Sequence, residues 1–112
     1  RALVSREEFM EALSRVRLLA QKSAPVRLVF ADGTLTLSAQ SQDVGAARET
    51  LPVKYEGEPL EIGFNPDFLL AGAAAVAENE VDMRFISPLR PGLLRGKEED
   101  FLYLIMPIRL TD

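Results

Sequence analysis

The apolar positions of this chain change their period several times, and each change marks an element. After a short apolar run at residues 2–4, Phe9, Leu13, Val16 and Ala20 recur every three or four residues, the spacing of one helix face. Ser5, with Glu8 three places on, forms a capping box in front of that face: the Ser oxygen accepts from an orphan helix amide while the Glu reaches back to the Ser amide. Leu18 falls off the buried face. After Pro25 the period drops to two. "VRLVF", the turn "ADG" and "TLTLSAQ" alternate apolar and polar residues as hairpin strands do, with Asp32-Gly33 as the turn signal. "ARETLPVKYEG" reads as a third strand, in which Pro52 predicts an edge or a bulge because it has no N–H to give to a neighbour.

The same order then begins again. "LEIGF" is a strand, and Asn65-Pro66-Asp67 is a helix start with a cap, a proline at the first helical position and an acid near the positive end of the dipole. The helix is predicted to run through "DFLLAGAAAVAEN" to about Asn79. Gly72 inside it costs about 1 kcal/mol against Ala, which tight packing on the first helix would offset. "VDMRFI", the turn "SPLRP", "GLLR", the loop "GKEED" and a last strand "FLYLIMPIRL" follow. Each half is therefore strand, helix, strand, strand, strand, with no residue-by-residue similarity between halves. The fold class is α+β, with two helices packed side by side on an outer curved antiparallel sheet.

A length of 112 residues suits one domain over the whole chain, and 47% hydrophobic with 27% charged residues is ordinary for a globular one. The longest apolar stretch, Leu69 to Ala77, falls short of a membrane span, and no secretory signal pattern is read at the start. There is no Cys and no His, which removes disulfides, thiol chemistry, Cys/His zinc sites and Ser-His catalysis. No carboxylate pair stands in a motif of catalytic spacing, so neither an enzyme nor a cofactor is expected. The carboxylates of "KEED" read as a solvated loop, because no turn glycine stands at an EF-hand spacing. A net charge of -4 argues against a surface that grips nucleic acid all over. Arg6, Arg15, Arg17 and Lys22 nevertheless give the first helix a local basic character.

The end of the chain, "YLIMPIRL", is the least ordinary stretch. A buried last strand explains its apolar residues but neither Pro107 nor Arg109. Pro107 removes an amide and stops strand pairing, which leaves neighbouring main-chain groups and the adaptable side chain of Met106 for a ligand.

"GEPLEIGFNPDFLLAG", "VDMRFISPLRPGLLR" and "YLIMPIRL" together resemble the third, carboxy-terminal domain of the DNA polymerase III beta subunit family, the bacterial sliding clamps. The resemblance extends over the whole chain, including "RVRLLAQKS" and "VRLVFADGTLTLSA". It implies the DNA clamp fold: a domain repeated three times per subunit, and two subunits closed into a cytoplasmic ring with helices toward duplex DNA. This chain would then be one domain of a longer subunit, a replication processivity factor without catalysis.

The resemblance also implies site residues. The family docks short peptide motifs of polymerases, clamp loader and repair proteins, typically a Gln followed by one or two large apolar residues. They bind in a pocket between the second and third domains. Carried over by motif, this chain contributes Asn65, Phe68, Leu89, Pro91, Leu104, Ile105, Met106, Pro107, Ile108, Arg109 and Leu110. Phe68 stands where the family often has Tyr. Leu104, Ile105 and Ile108 also read as plain core residues, and Asn65 as a helix cap whose amide group stays available. Leu18, Asp43 and Glu49 would lie at the ring-closing interface, where "VGAARE" carries fewer acids than the family usually has. Arg6, Arg15, Arg17 and Lys22 would face DNA. An alternative is a module that serves ring closure only.

Overall fold

The computed structural model describes residues 2–18, 25–41, 45–76, 79–96 and 103–108. Among these the chain order is β1 (Ala2–Ser5), α1 (Arg6–Arg17), β2 (Val26–Ala31), β3 (Thr34–Ser41), β4 (Gly45–Pro52) and β5 (Lys54–Tyr55), then β6 (Leu60–Phe64), α2 (Pro66–Ala75), β7 (Glu80–Arg84), β8 (Gly92–Gly96) and β9 (Tyr103–Ile105). The two halves follow the expected order, with the two-residue β5 added between them. Local chemistry accounts for several boundaries. Ser5 Oγ accepts from the Glu8 amide at 3.3 Å, the forward half of the capping box. Asp32 and Gly33 both take positive φ, 53° and 74°, as a type I′ hairpin turn requires. Pro52 ends β4, an edge strand.

The strands form two antiparallel sheets, ordered β5-β1-β7-β8-β9 and β4-β3-β2-β6. Each half lends its first strand to the other. β1 pairs with β7, Val4 opposite Val81, and β6 pairs with β2, Ile62 opposite Leu28. The core β1-β7-β8-β9 thus has the same layout as β6-β2-β3-β4. Phe9, Leu13 and Val16 of α1 and Leu69 and Ala73 of α2 are buried with Leu28, Phe30, Leu35, Leu37, Ile62, Phe64, Met83 and Leu94 in one continuous core. Stacked and tilted rings join the sheets: Tyr55 on Phe30 at 5.4 Å, Phe85 on Phe30 at 5.3 Å and on Phe64 at 5.8 Å. The buried carboxylate of Asp82 lies opposite Arg95 on β8, with Arg84 Nη2 at 3.5 Å and Arg95 Nε at 3.9 Å.

The helices run antiparallel, the start of each beside the end of the other. Arg6 of α1 donates from Nε to Ala73 O at 3.1 Å and from Nη2 to Ala74 O at 3.2 Å, while Arg17 at the far end meets Asp67 at 2.5 Å. Three expectations are corrected. First, α2 ends at Ala75 rather than near Asn79: Val76 is buried and extended, its amide bonds back to Ala73 O, and Arg6 takes the last carbonyls. Second, the tight contact at Gly72 is with Tyr103 of β9, where a Cβ would come within 2.6 Å of the ring, and not with α1. Third, the last strand is shorter, and pairing does not stop at Pro107. β9 ends at Ile105, and the Ile108 amide then bonds to Gly63 O at 2.7 Å, so the tail passes from the β9 edge of one sheet to the β6 edge of the other.

Candidate peptide-docking groove

The sheet-to-sheet crossing of the tail, facing the first turn of α2, encloses an open groove of about 470 Å³. Asn65, Phe68, Tyr103, Leu104, Ile105, Met106, Pro107 and Ile108 line it. Asn65 holds the polar end. Its Oδ1 caps α2, accepting from the amides of Asp67 at 2.8 Å and Phe68 at 3.4 Å. Its side-chain amide nitrogen has no hydrogen bond among the described residues and stays available as a donor.

Phe68 sits in the first turn of α2, one turn before Gly72 and away from buried Leu69 and Ala73, and is 60% exposed. Leu104 alternates with buried Ile105 on β9 and is 62% exposed, and Met106 follows at 64%. Three large apolar side chains therefore stand in solvent around one concavity, an arrangement that suits an apolar ligand. Met106 and Pro107 belong to neither sheet, because Pro107 offers no amide to continue β9.

Seven residues expected at the site, Asn65, Phe68, Leu104, Ile105, Met106, Pro107 and Ile108, are thus brought together. Leu89 and Pro91 are not among the described lining residues. They lie on the β7–β8 connection, which the pairing of Gly92 with Ile105 sets beside the Met106 end of β9. Leu89 there is exposed, and so is Ile86, which sequence reasoning did not single out. Arg109 and Leu110 lie outside the described residues. Tyr103 was also missed. Its signal was the glycine inside the alanine-rich helix, whose missing Cβ makes room for the ring.

The remaining expectations fall elsewhere. Leu18, at the end of α1, is 86% exposed. Glu49 is half-buried on edge strand β4 and pairs with Arg15 at 3.0 Å, so one ion pair joins a residue expected at the subunit interface to one expected to face DNA. The hydrogen bond that Arg15 donates to Glu49 Oε1, and then the Glu49 charge, raise the Arg15 pKa above its ordinary value. Arg6 is tied to α2 and Arg17 to Asp67, so all three described arginines of α1 are engaged within the chain. Glu7, Glu8 and Glu11 on the same helix offset their charge. Lys22 and Asp43 lie outside the described residues, as does the 97–100 loop with its carboxylates. Among the described residues no acidic cluster could hold a metal, and no helix is long and apolar enough to cross a membrane.

Comparison with known proteins agrees with the architecture. The family model "DNA polymerase III beta subunit, C-terminal domain" matches residues 1–109. The beta sliding clamp of Streptomyces coelicolor is 38% identical over 117 aligned positions, which cover 98% of this chain and 31% of that protein. The beta sliding clamp of Caulobacter vibrioides is 36% identical over 104 positions, 91% of this chain and 28% of that protein. Among solved structures, the DnaN sliding clamp of Bartonella birtlesii bound to griselimycin superposes with a TM-score of 0.93 at 32% identity, covering 97% of this chain and 30% of that one. The DNA polymerase III beta subunit of Thermotoga maritima superposes with 0.93 at 32% identity, covering 98% and 30%. The chain therefore spans less than a third of the length of these relatives. Matched over residues 1–109, and built on the same two-sheet, two-helix plan as these structures, the chain belongs to the family of carboxy-terminal domains of the DNA polymerase III beta subunit.

Proposed function

We propose that this chain is the third domain of a three-domain sliding clamp subunit, a non-catalytic processivity factor of DNA replication. In that reading it supplies one wall of the groove in which partner proteins dock a short peptide. The observation that carries the reading is the exposed triad Phe68, Leu104 and Met106 around a groove with the Asn65 amide at one end. An apolar peptide side chain that removes ~100 Å² of this surface from water gains about 2.5 kcal/mol. The Asn65 amide suits the carboxamide oxygen of a Gln in the docked segment. Binding to the chain alone is weak, because the second domain would supply the other wall. Two subunits would form a ring around duplex DNA, where Arg15 and Arg17 keep exposed guanidinium groups and Arg6 remains committed to α2.

The test is fluorescence anisotropy of a labelled short peptide carrying Gln ahead of Leu-Phe. Phe68→Ala and Met106→Ala are each expected to weaken binding about tenfold, equivalent to ~1.4 kcal/mol. Wild-type affinity in both variants would move the site elsewhere. Ring closure is a second use of the same domain, favoured by exposed Leu18 at the end of α1 and by edge strand β4, which Arg15 of α1 meets at Glu49. The chain by itself is expected to sediment as a monomer, since its complementary surface would lie on the first domain of another subunit; a stable dimer would count against that assignment.

A further inference from the structure

Gly72 is buried in α2, one face of which borders the groove, and a Cβ built there would meet Tyr103 Cδ1 at 2.6 Å and Cε1 at 2.8 Å. Separations under 3 Å are far inside van der Waals contact, so the ring occupies the volume that any other residue at position 72 would fill. Tyr103 is also one of the residues that line the groove. It is only partly buried, and β9, which carries it, is three residues long and lies at the edge of its sheet. A ring pushed off the helix can therefore turn into the groove or drag β9 with it.

We infer that Gly72 is a positioning residue of the groove: its missing side chain seats the Tyr103 ring on α2 and so keeps the space between Phe68 and Met106 open. The inference rests on the peptide-docking reading for its consequence, but the ring contact itself stands apart from any ligand. It also explains a glycine that intrinsic propensity disfavours in mid-helix. The backbone at Gly72 is helical and makes no use of glycine's conformational freedom, so the side chain's absence is the property in use.

The experiment uses the 112-residue chain with Gly72→Ala, Tyr103→Ala and the double variant. Thermal unfolding, anisotropy of the labelled Gln-Leu-Phe peptide, and proton NMR contacts of the Tyr103 ring are followed together. Gly72→Ala is expected to weaken peptide binding about tenfold, and adding it to Tyr103→Ala is expected to change affinity less than about twofold, the non-additivity of groups in contact. The wild-type ring should show contacts to the Gly72 α-protons, which in Gly72→Ala give way to contacts with Phe68 or Met106. Equal losses from Gly72→Ala with and without the ring, or a ring whose contacts are unchanged by the substitution, overturn the inference. If wild type binds no peptide while the ring moves as described, the docking reading fails and the positioning role stands. The melting temperature of Gly72→Ala should fall by less than overpacking alone would give, because the gain in helix propensity offsets part of the cost of displacing the ring.

Discussion

Replacing Arg6 by Met tests how the two helices are joined. The Arg6 side chain crosses 67 residues of sequence separation to close the carboxy-terminal end of α2, a helix with no basic residue in its own last turn. The half-buried Nε bond to Ala73 O is a charged hydrogen bond of the kind worth about 1.5–3 kcal/mol. The Nη2 bond to Ala74 O is exposed and adds little. Met keeps the aliphatic stem and removes both donors, so the expected loss is about 2 kcal/mol, or ~8 °C in melting temperature for a domain near this size. Arg6→Lys retains a positive charge at the negative helix end but only one compact donor group, and should recover about half of that loss. Differential scanning calorimetry of the three proteins, at low and high salt, reads both numbers. High salt should trim the gap only partly, because the Nε bond is shielded. If Arg6→Met melts within about 2 °C of wild type, the carbonyl contacts do not hold α2, and Arg6 is available for phosphate after all.

Gly92→Ala places a Cβ 2.6 Å from the Phe85 ring and 3.4 Å from Phe64, so urea unfolding should show a loss of about 1–3 kcal/mol from overpacking; an unchanged midpoint would mean that Phe85 moves freely. Ile108→Pro removes the amide that bonds to Gly63 O and should cost about 1–3 kcal/mol in the same assay, with exchange protection lost at the β6 edge; wild-type stability would show that the bridge contributes nothing. The Tyr55 phenol is raised above its ordinary pKa of 10.0 by burial and then by the Glu58 charge. A raised folded pKa favours the neutral form, so its contribution is fully present below pH 10 and is lost as pH climbs through the folded value. Stability in strong alkali should fall less steeply in Tyr55→Phe than in wild type, and parallel curves would refute the assignment.

The element boundaries were largely legible because their causes are local. Asp32-Gly33 could only be a tight turn, and both residues take the left-handed conformation it needs. Asn65-Pro66 could only begin a helix, and Ser5 another. Phe9, Leu13 and Val16 are buried because a helix presents residues three and four apart to one side, whatever it packs against. The end of α2 was not legible, since Ala75, Val76 and the residues after them are compatible with a continuing helix. The groups that meet its end, the Arg6 side chain on the Ala73 and Ala74 carbonyls and the core around buried Val76, come from elsewhere in the fold. Gly72 invited the wrong partner for a similar reason: a missing Cβ announces a close approach but not from which direction. The buried Asp82, opposite Arg95, gave no signal along the chain because the pair exists only across two strands.

By itself the sequence determined the periods, the turns, the caps, the order of the two halves and most of the apolar residues that line the candidate groove. Those follow from what each residue does to its own stretch of backbone. Tertiary structure alone decided that the halves exchange their first strands, that Pro52 and Pro107 each stand where the chain leaves one sheet for the other, and that α1's described arginines pair with neighbours on other elements. A proline shows that pairing cannot continue at its own amide, while the edge that receives the next residue depends on which backbone groups elsewhere in the fold are still unpaired. The groove at the end of this chain exists because Ile108 found such an edge at Gly63.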